Sequence, residues 1–238
     1  MQRYQSILPC CVFLALSLMS PARAGEPPFE KIIQEQQGRI PREALDKAFA
    51  WFREHPEQIK NRNYITIINF DLPSTARRMY VIDLKTGAVE DLLVAHGKQS
   101  GENYATKFSN TPGSNMSSLG IYLIDKPTPT SKRGMALLLD GMEPTNSKAR
   151  PREILLHGAP YVSDKYISEN GRLGRSLGCP AVDAAVIDRL IEQLQGGSVM
   201  LIYASGTPTT RESDSAEKAT LEKATPAKAL PGEEAPAK

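Results

Sequence analysis

Cysteine is nearly absent from this chain: of 238 residues only three are cysteine, and two of them, Cys10 and Cys11, fall within the first 24. Beyond residue 24 Cys179 stands alone, so no disulfide can form within that part of the chain and a disulfide-stapled framework is excluded. Histidine is equally scarce. His55, His96 and His157 are scattered and, with one cysteine, lack the ligand spacing of a metal site, so no metal is expected and nothing calls for a cofactor. The apolar run from Ile7 to Met19 is shorter than the ~20 residues that a bilayer span requires. Charge of one sign is not in excess, which argues against a nucleic-acid partner.

What is present at the N-terminus is a pattern of export: Arg3, then the apolar run, then Ala22-Arg23-Ala24 with small residues where signal peptidase needs them. Residues 1–24 are therefore expected to be a cleaved signal, giving a periplasmic or envelope location. Cleavage removes Arg3 and Arg23 and no acid, so Lys+Arg falls from 29 to 27 against 27 Asp+Glu, a neutral mature chain. It also removes Cys10 and Cys11, leaving an unpaired thiol in a compartment where paired cysteines are the usual structural device. At the other end, residues 205–238 are almost wholly Ala, Lys, Glu, Thr, Pro, Ser and Gly. Such a segment cannot bury enough apolar surface to offset its ordering entropy, and it is expected as a flexible tail, a place for contacts with cell-wall or envelope proteins.

Between these ends the periodicity predicts a mainly β domain. Pro41 opens a helix in which Ala44, Leu45, Ala48, Phe49 and Phe52 recur at three- and four-residue spacing, closed by His55-Pro56, within a helical segment 25–63. The period then shortens to two, predicting seven strands: Tyr64 to Phe70, Met79 to Leu84, Val89 to Ala95, Leu119 to Ile124, Ala136 to Leu139, Glu153 to His157 and Ser198 to Tyr203. These make a mainly antiparallel catalytic domain over 64–204. Lys85 to Ala88 reads as a hairpin turn, and Lys126 to Arg133 and Asp140 to Pro151 as loops. The Gly-, Ser- and Asn-rich stretch from His96 to Ser118 reads as a long loop and a candidate site wall. A second helix is expected from Ala184 to Gln195, with Asp183 as N-cap and Gly196-Gly197 as its stop.

That helix would aim its positive end at Cys179, lowering the pKa of the thiol, while Gly178 allows a sharp turn whose Gly178 and Cys179 amides face a developing oxyanion. A base must come from elsewhere. His55 sits at the end of an exposed helix, but His96 and His157 both end apolar strands and precede glycine, the place where a rigid scaffold presents a catalytic group. Either could equally be a hydrogen-bonded structural residue, and Cys179 a small buried hydrophobe.

His157-Gly158, followed after an interval by Ser176-Leu177-Gly178-Cys179, resembles the HG…SHGC signature of the L,D-transpeptidase catalytic domain, also called the YkuD domain. Ser117 to Tyr122 resembles the family strand that usually begins Thr-Pro-x-Gly. The chain departs from the pattern at Leu177, where the family has histidine, at Pro180, and in a longer interval. His157-Gly158-Ala159 and Gly174-Arg175-Ser176-Leu177-Gly178-Cys179-Pro180-Ala181 resemble a divergent branch with HGA and GRSxGCPA. The resemblance implies a β-sandwich-like, monomeric enzyme acting on peptidoglycan stem peptides. In it Cys179 attacks the carbonyl of the L-centre of the diamino acid and releases D-alanine, and His157 is the base, oriented by a carbonyl near Gly158. Amides at Gly178 and Cys179 hold the oxyanion. His96, delivered from the long loop, is a candidate to replace the family histidine, with loop-bracing as its alternative. Arg172, Arg175 and Ser176 flank the thiol, and the arginines suit either substrate carboxylates or local acids. The same acyl-enzyme resolved by water would make an L,D-carboxypeptidase or crosslink endopeptidase, and a silent wall-binding module is the reading from another class.

Overall fold

The computed structural model describes residues 28–131 and 134–206. The expected signal segment, with Cys10 and Cys11, and the tail from residue 207 onward lie outside the described residues. One mixed sheet of eight strands organises the chain: β1 (Tyr64–Asn69), β2 (Arg77–Asp83), β3 (Val89–Leu93), β4 (Gly120–Thr130), β5 (Gly134–Gly141), β6 (Leu155–Ala159), β7 (Ala181–Asp183) and β8 (Ser198–Tyr203), in the spatial order β3-β2-β1-β8-β4-β5-β6-β7. Its two ends meet, because Ala95 and Ala181 form an antiparallel bridge beyond β3 and Gly97 pairs with Ser176. The fold is mainly β as expected, and its facing layers belong to one curled sheet.

Alternation along the strands sorts side chains to two faces. Ile65, Ile67, Tyr80, Ile82, Ile121, Val199 and Leu201 form a core with the apolar stripes of α1 (Phe29–Glu35) and α2 (Arg42–Glu54). Phe49 and Phe52 of α2 are almost wholly buried there, each worth about 2 kcal/mol of transfer free energy. Ile68, Met79, Val81, Tyr122, Ile124, Met200 and Ile202 belong to the other core, together with Cys179 and with Ile187, Leu190 and Leu194 of α4 (Ile187–Leu194). α3 (Asp164–Asn170) lies between the histidine and the cysteine, capped by Ser163 at its start and by Gly171 in the left-handed region at its end.

Three sequence expectations change. Residues 126–130 are the outer arm of a β4–β5 hairpin, Pro127 pairing with Leu137 and Thr130 with Gly134, so the connection is far shorter than the expected loop. β7 is an eighth strand, directly after Cys179-Pro180. The helix expected from Ala184 starts at Ile187, and Asp183 caps a turn by accepting the Ala185 N–H at 2.8 Å. The sheet is mainly antiparallel as expected, with β1–β8 and β6–β7 as its parallel pairings.

The long segment after β3 is tied to the sheet by a buried cation. Arg78 is fully buried; its Nε and Nη2 donate to Val94 O at 3.1 and 2.9 Å, Nη1 to Leu72 O at 2.8 Å, and Nη2 to His96 Nδ1 at 2.8 Å. The guanidinium lies over the Phe70 ring. Burial lowers its pKa to about 9, which leaves it charged at neutral pH. A guanidinium only donates, so His96 Nδ1 must accept, and the ring proton resides on Nε2, facing Gly101 O at 3.3 Å. Burial first, and Arg78 second, pull the pKa of His96 down to about 4.

Between pH ~6.5, where a free histidine titrates, and about 4, the unfolded chain carries the His96 proton and the native chain does not. Acidification through this window should therefore remove about 3 kcal/mol of stability. His96→Asn keeps an acceptor for Arg78 but cannot titrate, so its urea midpoint should fall less than that of the native chain between pH 6.5 and 4.5. Parallel curves for the two proteins would contradict the assignment.

Candidate active site

The seam where the sheet closes brings the turn that carries Cys179, directly ahead of β7, beside the β6 strand that carries His157. β6 and β7 pair in parallel with His157 opposite Ala181, and the His157 N–H faces Pro180 O at 3.4 Å. The Leu155 N–H points at Cys179 Sγ at 3.4 Å, and the thiol faces Glu153 O at 3.5 Å. The sulfur is thus held at the start of β6, the strand that carries the imidazole. Cys179 is 6% exposed, and His157 is fully buried.

His157 Nδ1 lies 2.9 Å from Gly158 O. A carbonyl only accepts, so in the neutral ring Nδ1 carries the proton and Nε2 holds the lone pair, the tautomer a general base requires. The glycine at 158 has a steric reason. A Cβ there would fall 2.9 Å from Ile187 Cγ2 and 3.0 Å from Ala184 Cα, at the approach of α4.

The cysteine turn is built from close backbone contacts. Gly178 has φ +126°, and a Cβ on it would meet Met116 O at 2.9 Å; a Cβ on Gly97 would meet Gly178 Cα at 2.9 Å. Ser176 Oγ donates to Cys179 O at 2.6 Å and accepts the Gly178 N–H at 3.1 Å. Ser176 is therefore turned inward, buried, and braces the turn, where a substrate contact was expected. The Gly178 amide, expected to face an oxyanion, is occupied by that hydroxyl.

Two choices that the sequence left open are narrowed by the contacts. Arg175 Nη1 reaches Glu102 Oε1 at 2.6 Å, Gly101 O at 3.1 Å and Lys98 O at 3.3 Å, while Arg172 Nε reaches Glu102 Oε2 at 3.1 Å. The arginines grip a local acid and fasten the long loop to the cysteine loop. His96 has both ring nitrogens committed to Arg78 and Gly101, so it braces the loop and does not take the place of the family histidine. α4 begins eight residues after Cys179, beyond β7, and so later than the start at Ala184 that the sequence suggested.

Sequence reading missed Arg152. It donates from Nη1 to Ser109 O at 2.8 Å and Ser118 Oγ at 3.2 Å, and from Nη2 to Met116 O at 2.6 Å and Ser114 Oγ at 3.4 Å, gathering the loop wall around the cysteine turn. Only its place just ahead of β6 hints at this. Next to it, Glu153 sits at φ +54°, a left-handed conformation uncommon for a residue with a side chain. Leu177, at the position of the family histidine, is 56% exposed and forms an apolar lip. Among the described residues no group of three His, Cys, Asp or Glu side chains is placed to hold a metal ion, and no helix is long and apolar enough to cross a membrane.

The sequence profile described as the L,D-transpeptidase catalytic domain matches residues 36–203. Among solved structures, the chain is similar to an L,D-transpeptidase from Mycobacterium smegmatis, at 12% identity over 60% of this chain and 59% of that one, with a TM-score of 0.39. It is similar to L,D-transpeptidase 3 from Mycobacterium tuberculosis at 9% identity over 59% and 61%, TM-score 0.39. An L,D-transpeptidase from Stackebrandtia nassauensis shares 17% identity over 74% and 78%, TM-score 0.35. This chain thus spans about three fifths of the length of the two mycobacterial chains. A comparison with curated proteins gave no match. The profile match runs from the end of α1 through β8 and takes in both His157 and Cys179, and by it the chain belongs to the L,D-transpeptidase catalytic domain family.

Proposed function

We propose that this protein catalyses cysteine-dependent acyl transfer on peptidoglycan stem peptides, as an exported enzyme released by cleavage near Ala24, with 64–204 as the catalytic region. The observation that carries the reading is the parallel β6–β7 pairing. It sets His157, its Nδ1 engaged by Gly158 O and its lone pair on Nε2, on the strand whose start also contacts the thiol. Membership of the L,D-transpeptidase catalytic domain family supports the substrate class.

In this reading His157 Nε2 takes the Cys179 proton and the sulfur attacks the carbonyl carbon at the L-centre of the donor's diamino acid. The C–N bond to the terminal D-alanine breaks, and the imidazolium returns its proton to the departing amine, leaving a thioester on Cys179. An amine of a second stem peptide then attacks that carbonyl, gives its proton to His157, and the C–S bond breaks to restore the thiol. Water in place of the amine would give hydrolysis. Gly158 O holds the ring through Nδ1 in both halves, while the fastened loop 96–118 and the lip at Leu177 shape the approach.

Incubation of the full chain with disaccharide-tetrapeptide should yield crosslinked dimer and free D-alanine, read by mass spectrometry. Tripeptide alone would replace transfer with hydrolysis, and neither product together with no carbapenem adduct at Cys179 would leave a silent binding module. Cys179→Ser should lose at least ~10³-fold in turnover, because a serine hydroxyl is far less acidic; a variant with most of its turnover would remove Cys179 from the chemistry. His157→Gln should slow acylation by about 10²- to 10⁴-fold, the usual worth of a positioned base. Stopped-flow quenching by a carbapenem measures that rate directly, and an unchanged rate would exclude His157 as the base.

A further inference from the structure

The grip on Glu102 spends only part of what the two arginines of the cysteine loop can donate. Arg175 directs a single nitrogen, Nη1, at Glu102 Oε1, Gly101 O and Lys98 O, and its Nε and Nη2 donate to no acceptor among the described residues. Arg172 meets Glu102 Oε2 through Nε and Leu173 O through Nη1, and its Nη2 likewise has no acceptor among the described residues. A guanidinium carries five N–H groups, and its Nε–Nη2 edge is a fork that fits the two oxygens of a carboxylate. On Arg175 that edge is unspent, on a side chain only 23% exposed and already fixed by three oxygens of the loop 96–118. Positive charge is also in surplus. Arg172, Arg175 and Lys98 gather around one acid, Glu102, and Lys98 is exposed with no ion-pair partner among the described residues. His96 feels the charge of both loop arginines besides that of Arg78. Ser176, the next residue, pairs with Gly97 and binds Cys179 O, so Arg175 belongs to the rim of the cysteine turn, two residues before the exposed Leu177.

We infer that Arg175, with Arg172 beside it, is a binding site for a carboxylate of the incoming stem peptide, held as a two-pronged pair on the Nε–Nη2 edge. The inference rests on the proposed substrate class. Glu102 serves to fix the guanidinium through Nη1; its side chain is 71% exposed, so water screens the pair and much of the positive charge remains for a second anion. Arginine suits this task better than lysine, because its planar fork is pre-organised for two parallel hydrogen bonds. The carboxylate of the terminal D-alanine and a side-chain carboxylate of the stem present the same chemistry to the fork, and the arms of the test separate them.

Binding is read in the full chain carrying Cys179→Ala, in which no acyl-enzyme forms, by calorimetric titration with disaccharide-tetrapeptide and with derivatives amidated at one carboxylate at a time. One amide should bind about tenfold more weakly than the parent acid, the low end of what hydrogen bonds to a charged group contribute, and which amide it is names the carboxylate. Arg175→Gln should weaken binding of the acid by the same factor and leave the Kd of that amide unchanged. Arg175→Lys, which keeps the charge and loses the fork, should reduce the acid-over-amide preference about threefold. If Arg175 only fastened the loop, its loss would weaken acid and amides equally. That result overturns the inference, as do amides that all bind as tightly as the acid, or a tetrapeptide that does not bind. Should Arg175→Gln fail to fold by circular dichroism, Arg175→Lys decides: a reduced preference supports the site and an unchanged one overturns it. No turnover is read, so the carboxylate preference can hold while acyl transfer fails, and D-alanine release by the native chain can stand while the preference is absent.

Discussion

The closure of the sheet at Ala181 is the constraint on which the site depends. β7 is only three residues long, and it is a strand because it has hydrogen-bonded neighbours on both sides: β6 in parallel, through His157 and Gly158, and Ala95 in an antiparallel bridge. Ala95 and Ala181 exchange both backbone bonds, Ala95 N to Ala181 O at 2.8 Å and Ala181 N to Ala95 O at 3.3 Å. One small residue therefore joins the end of the β3 segment, the β6 strand and the cysteine turn. Removing it would open two edges at once, and unpaired edges in a largely apolar sheet are costly. Pro180 fits here because it lacks an N–H but still offers the carbonyl that faces His157 N.

A buried arginine does comparable work behind the seam. Moving a guanidinium out of water is expensive unless its donors are met, and Arg78 meets them with Val94 O, Leu72 O and His96 Nδ1, under the face of Phe70. The cost is tolerated because the group links pieces that share no strand ladder: the turn after β1, the end of β3 and the start of the long loop. His96 continues the link to Gly101, and Glu102 then takes up Arg172 and Arg175. This chain of polar contacts turns a 23-residue stretch without regular structure into a fixed wall. A neutral His96 is part of that arrangement, since a second positive charge beside Arg78 would break it.

Much of this was legible in the sequence, and the remainder was hidden for identifiable reasons. Alternation found seven strands because each carries enough apolar residues to show the period, but Ala181-Val182-Asp183 is too short to display one and is set by pairing partners distant in the chain. Missing it drew the following helix forward to Ala184. The signals of α3 were present, with Ser163 ahead and Gly171 behind, yet its residues bury no apolar stripe to mark it. His96 and His157 share the same local pattern, an apolar strand end followed by glycine, and both glycines permit close approaches of backbone. What separates the two histidines is register: one faces Arg78, the other lies between Ala136 and Ala181. Arg77 and Arg78 are likewise adjacent, identical residues, one exposed and paired with Asp164, the other buried. The register shift between Arg77 and Met79, which makes Arg78 the extra residue of the ladder, decides which is which.

The departure at Leu177 then has a physical meaning. From the β6 side, Leu155 N and Glu153 O contact Cys179 Sγ, and the turn around it is braced from within by Ser176. Residue 177 points away from this set and stands 56% exposed. A leucine there removes a titratable group from the rim and leaves the His157–Gly158 and Ser176–Cys179 hydrogen bonds untouched. The rim becomes apolar, so a peptide entering past it would lose water from a side chain at that point and find no hydrogen-bond partner. Leu177 thus belongs to the rim, while His157 and the Cys179 sulfur are both positioned by β6 and by its pairing with β7.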